Sequence, residues 1–184
     1  MYRDYIKSTA YVYWKKLNDG QRVPASESSA EGKVLLKQAL WDGFGLEMDE
    51  LTIEKGEQGK PYVAGHSDVH FNISHSGCYV VCVVSGVPVG IDIQEKRVIA
   101  LDKIRKKVFT PEEYREFLKS EEKQDVFFRQ WVRLESYLKW KGTGINGDMT
   151  QLPMDGWHQF VHINKNYNCA LWSQGPLSVF MKEM

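Results

Sequence analysis

The stretch "FNISHSG" (residues 71–77) places polar and turn-forming residues directly before "YVVCVV" (residues 79–84), the most apolar run in the chain. Alternation along an extended strand sends Ser74 and Ser76 to one face and His75 to the other. A nucleophilic Ser–His pair between such neighbours is awkward, and the Gly-x-Ser-x-Gly elbow of many serine hydrolases is absent from the sequence. We therefore expect these side chains to have a role other than nucleophilic catalysis, next to the start of a buried strand.

The composition is that of a globular chain without a general affinity for polyanions. Its 184 residues suffice for one domain, or for two small halves that share a core. With 24 Lys and Arg against 24 Asp and Glu, the formal net charge is zero, so binding to nucleic acid or to an anionic membrane has no electrostatic support. Any charged partner must be met by a local patch.

The first residues and the cysteines both indicate an intracellular setting. No segment approaches the roughly 20 apolar residues that cross a bilayer, and Arg3, Asp4 and Lys7 stand where a signal peptide would have its apolar core. Three cysteines are an odd number and lack zinc-site spacing, which favours reduced thiols in the core. We expect a cytoplasmic protein.

Hydrophobic patterns alternate between helix and strand without a regular βαβ rhythm, which predicts an α+β fold. A capping box at Thr110 and Glu113, with Pro111 between them, predicts the start of one helix. Two further helices are expected over residues 29–42 and 127–141. Strands are expected over residues 69–73, 79–84, 89–93, 159–163, 168–172 and 177–181.

Two segments recur in the same order in both halves of the chain. The sequence "ALWDGFGL" (residues 39–46) matches "LKWKGTGI" (138–145), and "YVVCVVSGVPVGIDI" (79–93) matches "YNCALWSQGPLSVFM" (167–181). We interpret these as two similar halves, each a helix plus an antiparallel hairpin, related by a pseudo-twofold axis. The predicted halves are residues 1–91 and 92–184, with the active site at their interface.

The repeat is broken by charge at three positions. Asp92 matches Phe180, Glu135 matches Leu36, and Lys139 matches Leu40. Charged groups at positions whose counterparts are apolar are unfavourable unless they are paired or bind an ion. Two plainer interpretations stay open at this point: Asp92 caps a turn at the end of its strand, and Glu135 and Lys139 form an ordinary i,i+4 surface ion pair.

The blocks "FNISHSG", "GIDIQ" and "RQWVRLESYLKWKGTGI", with "GKPYV" (residues 59–63) ahead of them, resemble the signature of the 4'-phosphopantetheinyl transferases. The resemblance is to the pseudo-dimeric, surfactin-synthetase-activating type and covers about residues 22–144. It implies transfer of the phosphopantetheine arm of coenzyme A to a serine of an apo acyl or peptidyl carrier protein, with release of adenosine 3',5'-bisphosphate. The alternative is a non-catalytic module that binds coenzyme A or a carrier protein.

The resemblance also implies a magnesium site. Asp92 and Glu135 match the acidic ligands of the family, and hard oxygen ligands suit Mg²⁺. Gln94 stands where many relatives carry a third acid, so its role as a ligand is an expectation only. Glu135 is also the implied base for the carrier serine, and Lys139 is implied to bind coenzyme A and to neutralise charge on its leaving phosphate. His75 is the third implied catalytic residue.

Coenzyme A contacts are implied for four further positions. Ser74 and His75 match residues that hold its phosphates, for which a hydroxyl and a protonatable imidazole are suited; a buried, satisfied histidine is the plainer alternative. Lys60 of "GKP" and Lys33 match positions that reach the nucleotide, although Lys33 replaces an Arg that is common in the family. Besides Gln94, a further departure is Leu134, which stands where a Lys often precedes the catalytic Glu.

The densest basic stretch is "RVIALDKIRKKVF" (residues 97–109). Carrier proteins present an acidic helix beside their modified serine, so Arg105, Lys106 and Lys107 are candidates for the docking surface. An ordinary amphipathic helix with a solvated basic face explains the same pattern. We expect a monomer that uses coenzyme A as co-substrate.

Overall fold

The computed structural model describes residues 8–18, 21–98, 108–144 and 149–184. Within these ranges helices and strands are mixed, as an α+β fold requires. The helices are α1 (Ala25–Phe44), α2 (Pro111–Lys119) and α3 (Lys123–Lys141). The strands are β1 (Thr9–Lys16), β2 (Ile53–Lys55), β3 (Pro61–Val63), β4 (His70–Ser76), β5 (Tyr79–Ser85), β6 (Val89–Glu95), β7 (Trp157–Phe160), β8 (Tyr167–Ser173) and β9 (Ser178–Glu183). No helix in the described part of the chain combines the length and apolar character that crossing a membrane requires.

Two sheets form the centre of the molecule. One has the strand order β4-β5-β1-β9 and the other the order β6-β8-β7, while β2 and β3 form a separate pair. Helix α1 packs on the first sheet through a cluster that includes Leu35 and Leu40, and α3 packs with α2 in a cluster that includes Trp172 of β8. A third cluster, with Val81 and Ile91, lies between the two sheets. The central strands β5 and β8 are therefore covered on both faces.

Burial on both faces explains the unbroken apolar run of β5. Val80, Cys82 and Val84 belong to the cluster under α1, while Val81 and Val83 belong to the cluster between the sheets. The strand pairs with β4 through a tight turn at Gly77, whose φ of 57° is left-handed. The "FNISHSG" stretch is thus the first strand and the turn of a β-hairpin.

The two hairpins predicted over residues 79–93 and 167–181 are wrong as strand pairs. β5 and β6 belong to different sheets, and so do β8 and β9. The reason is β1, a strand that the sequence analysis missed, which pairs antiparallel with β5 and parallel with β9. β6 pairs instead with β8, placing Asp92 opposite Ala170.

Helix boundaries largely follow their local signals. The capping box is confirmed, since Thr110 Oγ1 accepts from the Glu113 amide at 3.2 Å and Glu113 Oε2 accepts from the Thr110 amide at 2.9 Å. Helix α1 begins four residues before its expected start, directly after Pro24, and ends at left-handed Gly45. Helix α3 ends in the same way at Gly142.

Side chains of β4 join the edges of the two sheets, because β4 and β6 are edge strands that do not form a backbone ladder with each other. Asn72 Oδ1 accepts from the Ile91 amide at 3.0 Å, Ser74 Oγ from the Ile93 amide at 3.3 Å, and Ser76 Oγ from the Glu95 amide at 3.0 Å. We call these three bonds the β4–β6 seam. They satisfy backbone N–H donors of β6 that would otherwise be unpaired at the edge of its sheet.

Gly90 lets α3 lie directly on β6. A Cβ at Gly90 would lie 2.2 Å from Ser136 O and 2.3 Å from the Trp140 nitrogen, distances that real Cβ atoms do not reach. Backbone, unlike the tip of a flexible side chain, cannot move aside cheaply. The missing side chain therefore sets how closely the helix approaches the strand that carries Asp92.

We expect Gly90→Ala to destabilise the protein by about 1–3 kcal/mol or more, because an added methyl group must push α3 away from β6. Urea unfolding followed by circular dichroism measures the change. Gly175→Ala is the matched control, since a Cβ there would meet nothing within 4 Å. Equal stability of the Gly90 variant and the control would show that the helix is not held by this close contact.

Candidate functional site

A cleft of about 300 Å³ lies where β4, β6 and α3 meet. It brings together six of the eight residues singled out from the sequence, and Lys33 and Lys60 do not line it. Ile73, Ile93 and Trp131 complete the wall. The lining residues from the prediction are Ser74, His75, Asp92, Gln94, Glu135 and Lys139.

Asp92 is a buried carboxylate whose charge is balanced by Lys139. The Lys139 ammonium lies 2.7 Å from Asp92 Oδ1, which also accepts from the Ser74 hydroxyl at 2.8 Å. Ser74 Oγ in turn accepts from Lys139 Nζ at 2.8 Å. With only 8% of its side chain exposed, Asp92 would be costly to bury without these partners. Asp92 thus does more than cap a turn, and Lys139 pairs across the helix–strand contact.

Glu135 is the uncompensated charge of the cleft. In the described residues its Oε1 is buried without a hydrogen-bond partner. Burial, and secondly the negative charge of Asp92, raise the pKa of Glu135 to about 7, against the opposing effect of Lys139. A carboxylate with this pKa is both a suitable proton acceptor near neutral pH and a group that a cation would stabilise.

The donor set fits a hard cation that brings or shares further oxygen ligands. The described residues contain no cluster of three or more His, Cys, Asp or Glu side chains that could hold a metal by itself. Asp92 and Glu135 supply two carboxylates in one cleft, one of them with an orphaned oxygen. Such a pair suits Mg²⁺, which binds through one or two carboxylates plus water and substrate phosphates.

Gln94 and His75 lie at the mouth of the cleft. Gln94 Nε2 donates to Ser76 Oγ at 3.0 Å, so the amide oxygen is the atom left with ligating capacity. His75 is exposed, which excludes the buried, satisfied histidine. Its pKa is lowered, first by partial desolvation and then by the positive charge of Lys139.

A second hollow, of about 490 Å³, adjoins the cleft and shares His75 and Gln94 with it. The segment before α1 contributes Arg22 and the segment after β6 contributes Arg97. With His75, three residues that carry or can accept positive charge therefore line this space, together with one acid, Glu95. Neither arginine was predicted as a site residue: Arg22 lies outside the quoted motifs, and Arg97 is the first residue of the basic stretch that was considered only for docking. Only the fold shows that these residues, 75 apart in sequence, line the same hollow.

The other predicted residues lie elsewhere. Lys33 is exposed on α1. Lys60 Nζ donates to two backbone carbonyls, Trp140 O at 2.9 Å and Val89 O at 3.1 Å. Leu134 of α3 is 2% exposed, packs in the hydrophobic cluster of α2 and α3, and does not line the cleft. Arg105, Lys106 and Lys107 lie outside the described residues.

Comparisons with known proteins agree with this geometry. Residues 88–178 match the family described as the 4'-phosphopantetheinyl transferase superfamily. Residues 24–86 match the family described as 4'-phosphopantetheinyl transferase, N-terminal. The first match contains Asp92, Gln94, Glu135 and Lys139, and the second contains Ser74 and His75.

Curated relatives carry the same name. A 4'-phosphopantetheinyl transferase of Bacillus subtilis is 36% identical over 126 residues, which cover 67% of this chain and 54% of the relative. The 4'-phosphopantetheinyl transferase Sfp of Bacillus subtilis strain 168 is 34% identical over 133 residues, covering 71% and 57%. The 4'-phosphopantetheinyl transferase psf-1 of Bacillus pumilus is 37% identical over 117 residues, covering 62% and 50%.

The matched region spans about half the length of these relatives. The two family matches together contain β4, β6 and α3, the three elements that carry the cleft residues. The chain belongs to the 4'-phosphopantetheinyl transferase superfamily, in the group similar to Sfp.

Proposed function

We propose that this protein transfers the 4'-phosphopantetheine arm of coenzyme A to a serine of an apo acyl or peptidyl carrier protein and releases adenosine 3',5'-bisphosphate. The observation that carries the proposal is the pairing of Asp92 with Lys139 beside the orphaned carboxylate of Glu135, next to a hollow lined by cations. The names of the curated relatives supply the reaction class. Coenzyme A and the carrier protein are proposed partners on the same basis.

Asp92 and Glu135 would hold Mg²⁺, with Gln94 Oε1 as a weaker ligand. When bound, the ion would neutralise negative charge on the pyrophosphate of coenzyme A. The residues of the chain would supply the rest of the chemistry by position and charge.

Glu135 would accept the proton of the carrier serine as the serine oxygen attacks the phosphorus atom that bears the pantetheine arm. One phosphorus–oxygen bond forms to the serine, and the bond between that phosphorus and the bridging oxygen breaks. The bridging oxygen leaves with its electron pair on adenosine 3',5'-bisphosphate. Lys139 would stabilise the negative charge that develops on the leaving phosphate. Its ammonium would contribute most to the rate in this transition state.

The adjoining hollow would hold phosphates of coenzyme A. His75, which lines both the hollow and the cleft, would contact them together with Arg22 and Arg97 of the hollow. Ser74 would fix Lys139 and Asp92 beside the reacting phosphorus. Contacts of Lys33 and Lys60 with the nucleotide remain predictions from the resemblance, as do docking through residues 105–107, a monomeric state and a cytoplasmic location.

We also propose that the fold derives from two halves related by a pseudo-twofold axis, residues 1–91 and 92–184. Support comes from matching order: α1, β4, β5 and β6 in the first half correspond to α3, β7, β8 and β9 in the second. In each half the last strand leaves for a different sheet from its predecessor. The proposed boundary falls inside β6, so the halves interlock through the strand that carries Asp92.

Incubation of the purified protein with coenzyme A, Mg²⁺ and several apo carrier proteins tests the function. A gain of one phosphopantetheine in the intact mass of a carrier is the expected result. Coenzyme A binding without any gain in mass on any carrier would support the non-catalytic binding module instead. The presence of both Asp92 and Glu135 in the cleft disfavours a non-catalytic binding module, because binding of coenzyme A alone does not require two acids.

Replacing either acid should lower turnover strongly. We expect Asp92→Ala and Glu135→Ala each to reduce kcat by about 100-fold or more, because each removes a preorganised charge at the reacting phosphates. Gln94→Ala should cost clearly less, since it removes only a neutral amide. Initial rates with one carrier measure all three variants. If Gln94→Ala were as damaging as Asp92→Ala, the amide would be a full ligand and the two-acid site would be wrong.

Lys139 should act mainly in the transition state. We expect Lys139→Met to reduce kcat more than it weakens coenzyme A binding, because the ammonium already has a partner, Asp92, in the resting protein. Calorimetric titration gives the coenzyme A affinity and carrier modification gives kcat. Lys141→Met is the control from the same helix, since Lys141 pairs with Asp155 away from the cleft. An unchanged kcat for Lys139→Met would show that Lys139 has only a structural role.

The raised pKa of Glu135 predicts how stability depends on pH without metal. Because the folded state holds this proton up to about pH 7 and the unfolded chain releases it near its ordinary pKa of 4.5, stability falls as the pH rises between these values. At pH 8 in EDTA, Glu135→Gln should therefore melt at a higher temperature than the wild type, and at pH 4 the two should converge. Added Mg²⁺ should raise the melting temperature of the wild type only. A lower melting temperature for Glu135→Gln at pH 8 would show that the carboxylate is stabilised by a group other than a bound cation.

A further inference from the structure

Lys60 does not line the cleft but contacts the helix and the strand that form it. Its ammonium donates to Trp140 O at 2.9 Å and to Val89 O at 3.1 Å. Trp140 is in the last turn of α3, next to Lys139, and Val89 begins β6, three residues before Asp92. A single side chain from the loop before β3 therefore contacts the backbone of both elements that carry the proposed catalytic groups.

The rest of the side chain is packed as well. A Cβ at Gly142 would lie 3.2 Å from Lys60 Cδ and 3.4 Å from its Cβ, so the aliphatic stem passes over the glycine that ends α3. Gly142 has a φ of 75° and donates its amide to Leu138 O at 2.8 Å. Stem and ammonium together cover the C-terminus of the helix.

This placement is favourable for a cation at a helix end but poor for a phosphate ligand. The last carbonyls of a helix lack intrahelical donors and carry partial negative charge, which a lysine satisfies. In the part of the chain that the structure describes, Lys60 forms no ion pair with a carboxylate. Burial lowers the pKa of Lys60 to about 8, as expected for an ammonium held by carbonyl dipoles alone.

The contact completes a fastening of α3 to β6. Gly90, adjacent to Val89, allows the helix backbone to touch the strand, and the Lys139–Asp92 pair lies one residue before Trp140 on the helix side. A shift of the last turn of α3 would displace Lys139 more than the earlier residues of the helix, because only two helical residues follow Lys139. A misplacement of about 1 Å in a catalytic group is enough to lower a rate by up to about 100-fold.

We propose that Lys60 is a positioning residue that holds the C-terminal turn of α3 on β6, and so keeps Lys139 in register with Asp92, rather than a direct contact to coenzyme A. The proposal rests on the proposed transfer reaction for its catalytic consequence. Its structural part, the fastening of the helix, stands apart from that reaction and is measured separately.

Lys60→Met tests this, because it keeps the stem over Gly142 and removes the ammonium. Lys55→Met is the matched control. Lys55 is an exposed lysine on β2, the strand that pairs with β3, which begins directly after Lys60. We expect faster amide hydrogen exchange in Lys60→Met over a peptide spanning residues 138–144, a fall in kcat of about tenfold, and a coenzyme A dissociation constant within about twofold of the wild type. The control should change none of these.

Three results would overturn the proposal: unchanged exchange over residues 138–144, unchanged kcat despite faster exchange, or a dissociation constant raised tenfold or more with kcat preserved. The last would make Lys60 the coenzyme A contact that the family resemblance implies. If Lys60→Met does not fold, Lys60→Gln, whose amide retains two donors, takes its place under the same criteria. Absence of transfer by the wild type would contradict the proposed function, and the exchange result would still decide whether Lys60 fastens the helix.

Discussion

The β4–β6 seam is the interaction on which the rest of the structure depends. Two sheet edges meet without a backbone ladder, and Asn72, Ser74 and Ser76 supply the acceptors that the β6 amides need. A buried hydrogen bond of this kind contributes about 0.5–1.5 kcal/mol, and leaving its donor unpaired costs more. Because the spacing of two residues matches the pleat, every second residue of β4 meets every second amide of β6. The seam therefore also fixes the register between the two strands.

The same register creates the chemistry of the cleft. Ser74 is in the middle of the seam, where it accepts from the Ile93 amide and from Lys139 while donating to Asp92. One hydroxyl thus uses all of its hydrogen-bonding capacity to place an acid and an ammonium. With Glu135 beside them, the three ionisable groups carry two potential negative charges and one positive charge. Burial, and secondly the negative charge of Asp92, raise the pKa of Glu135, and a cation at the site would stabilise its carboxylate.

Much of the site could be predicted from the sequence because it depends on short-range pattern. Strand alternation predicted that Ser74 and Ser76 share a face, and the seam confirms it. The mismatch of Asp92 with Phe180 between the repeats marked a buried charge, and Asp92 is indeed buried against Lys139. Helix spacing put Glu135 and Lys139 on one face, and both line the cleft.

Strand pairing could not be predicted, because it depends on contacts between residues far apart in the chain. The segment Thr9–Lys16 inserts between β5 and β9, which begin at Tyr79 and Ser178, far along the chain. That insertion is why the repeated segments are not hairpins. Arg22 and Arg97 were not predicted as neighbours of His75 for the same reason, since only the fold brings the segments before α1 and after β6 to one hollow.

Gln94 shows how the seam and the chemistry constrain each other. Ser76 Oγ accepts from the Glu95 amide to close the seam and also accepts from Gln94 Nε2. A carboxylate at position 94 would have no proton to donate, so Ser76 would have to turn its own hydroxyl proton toward it. It would also place a third negative charge near Asp92 and Glu135, where one of the two present acids already lacks a counter-charge. The amide therefore keeps the end of the seam neutral, and an ion at this site would draw its charge balance from Asp92, Glu135 and the phosphates of the substrate.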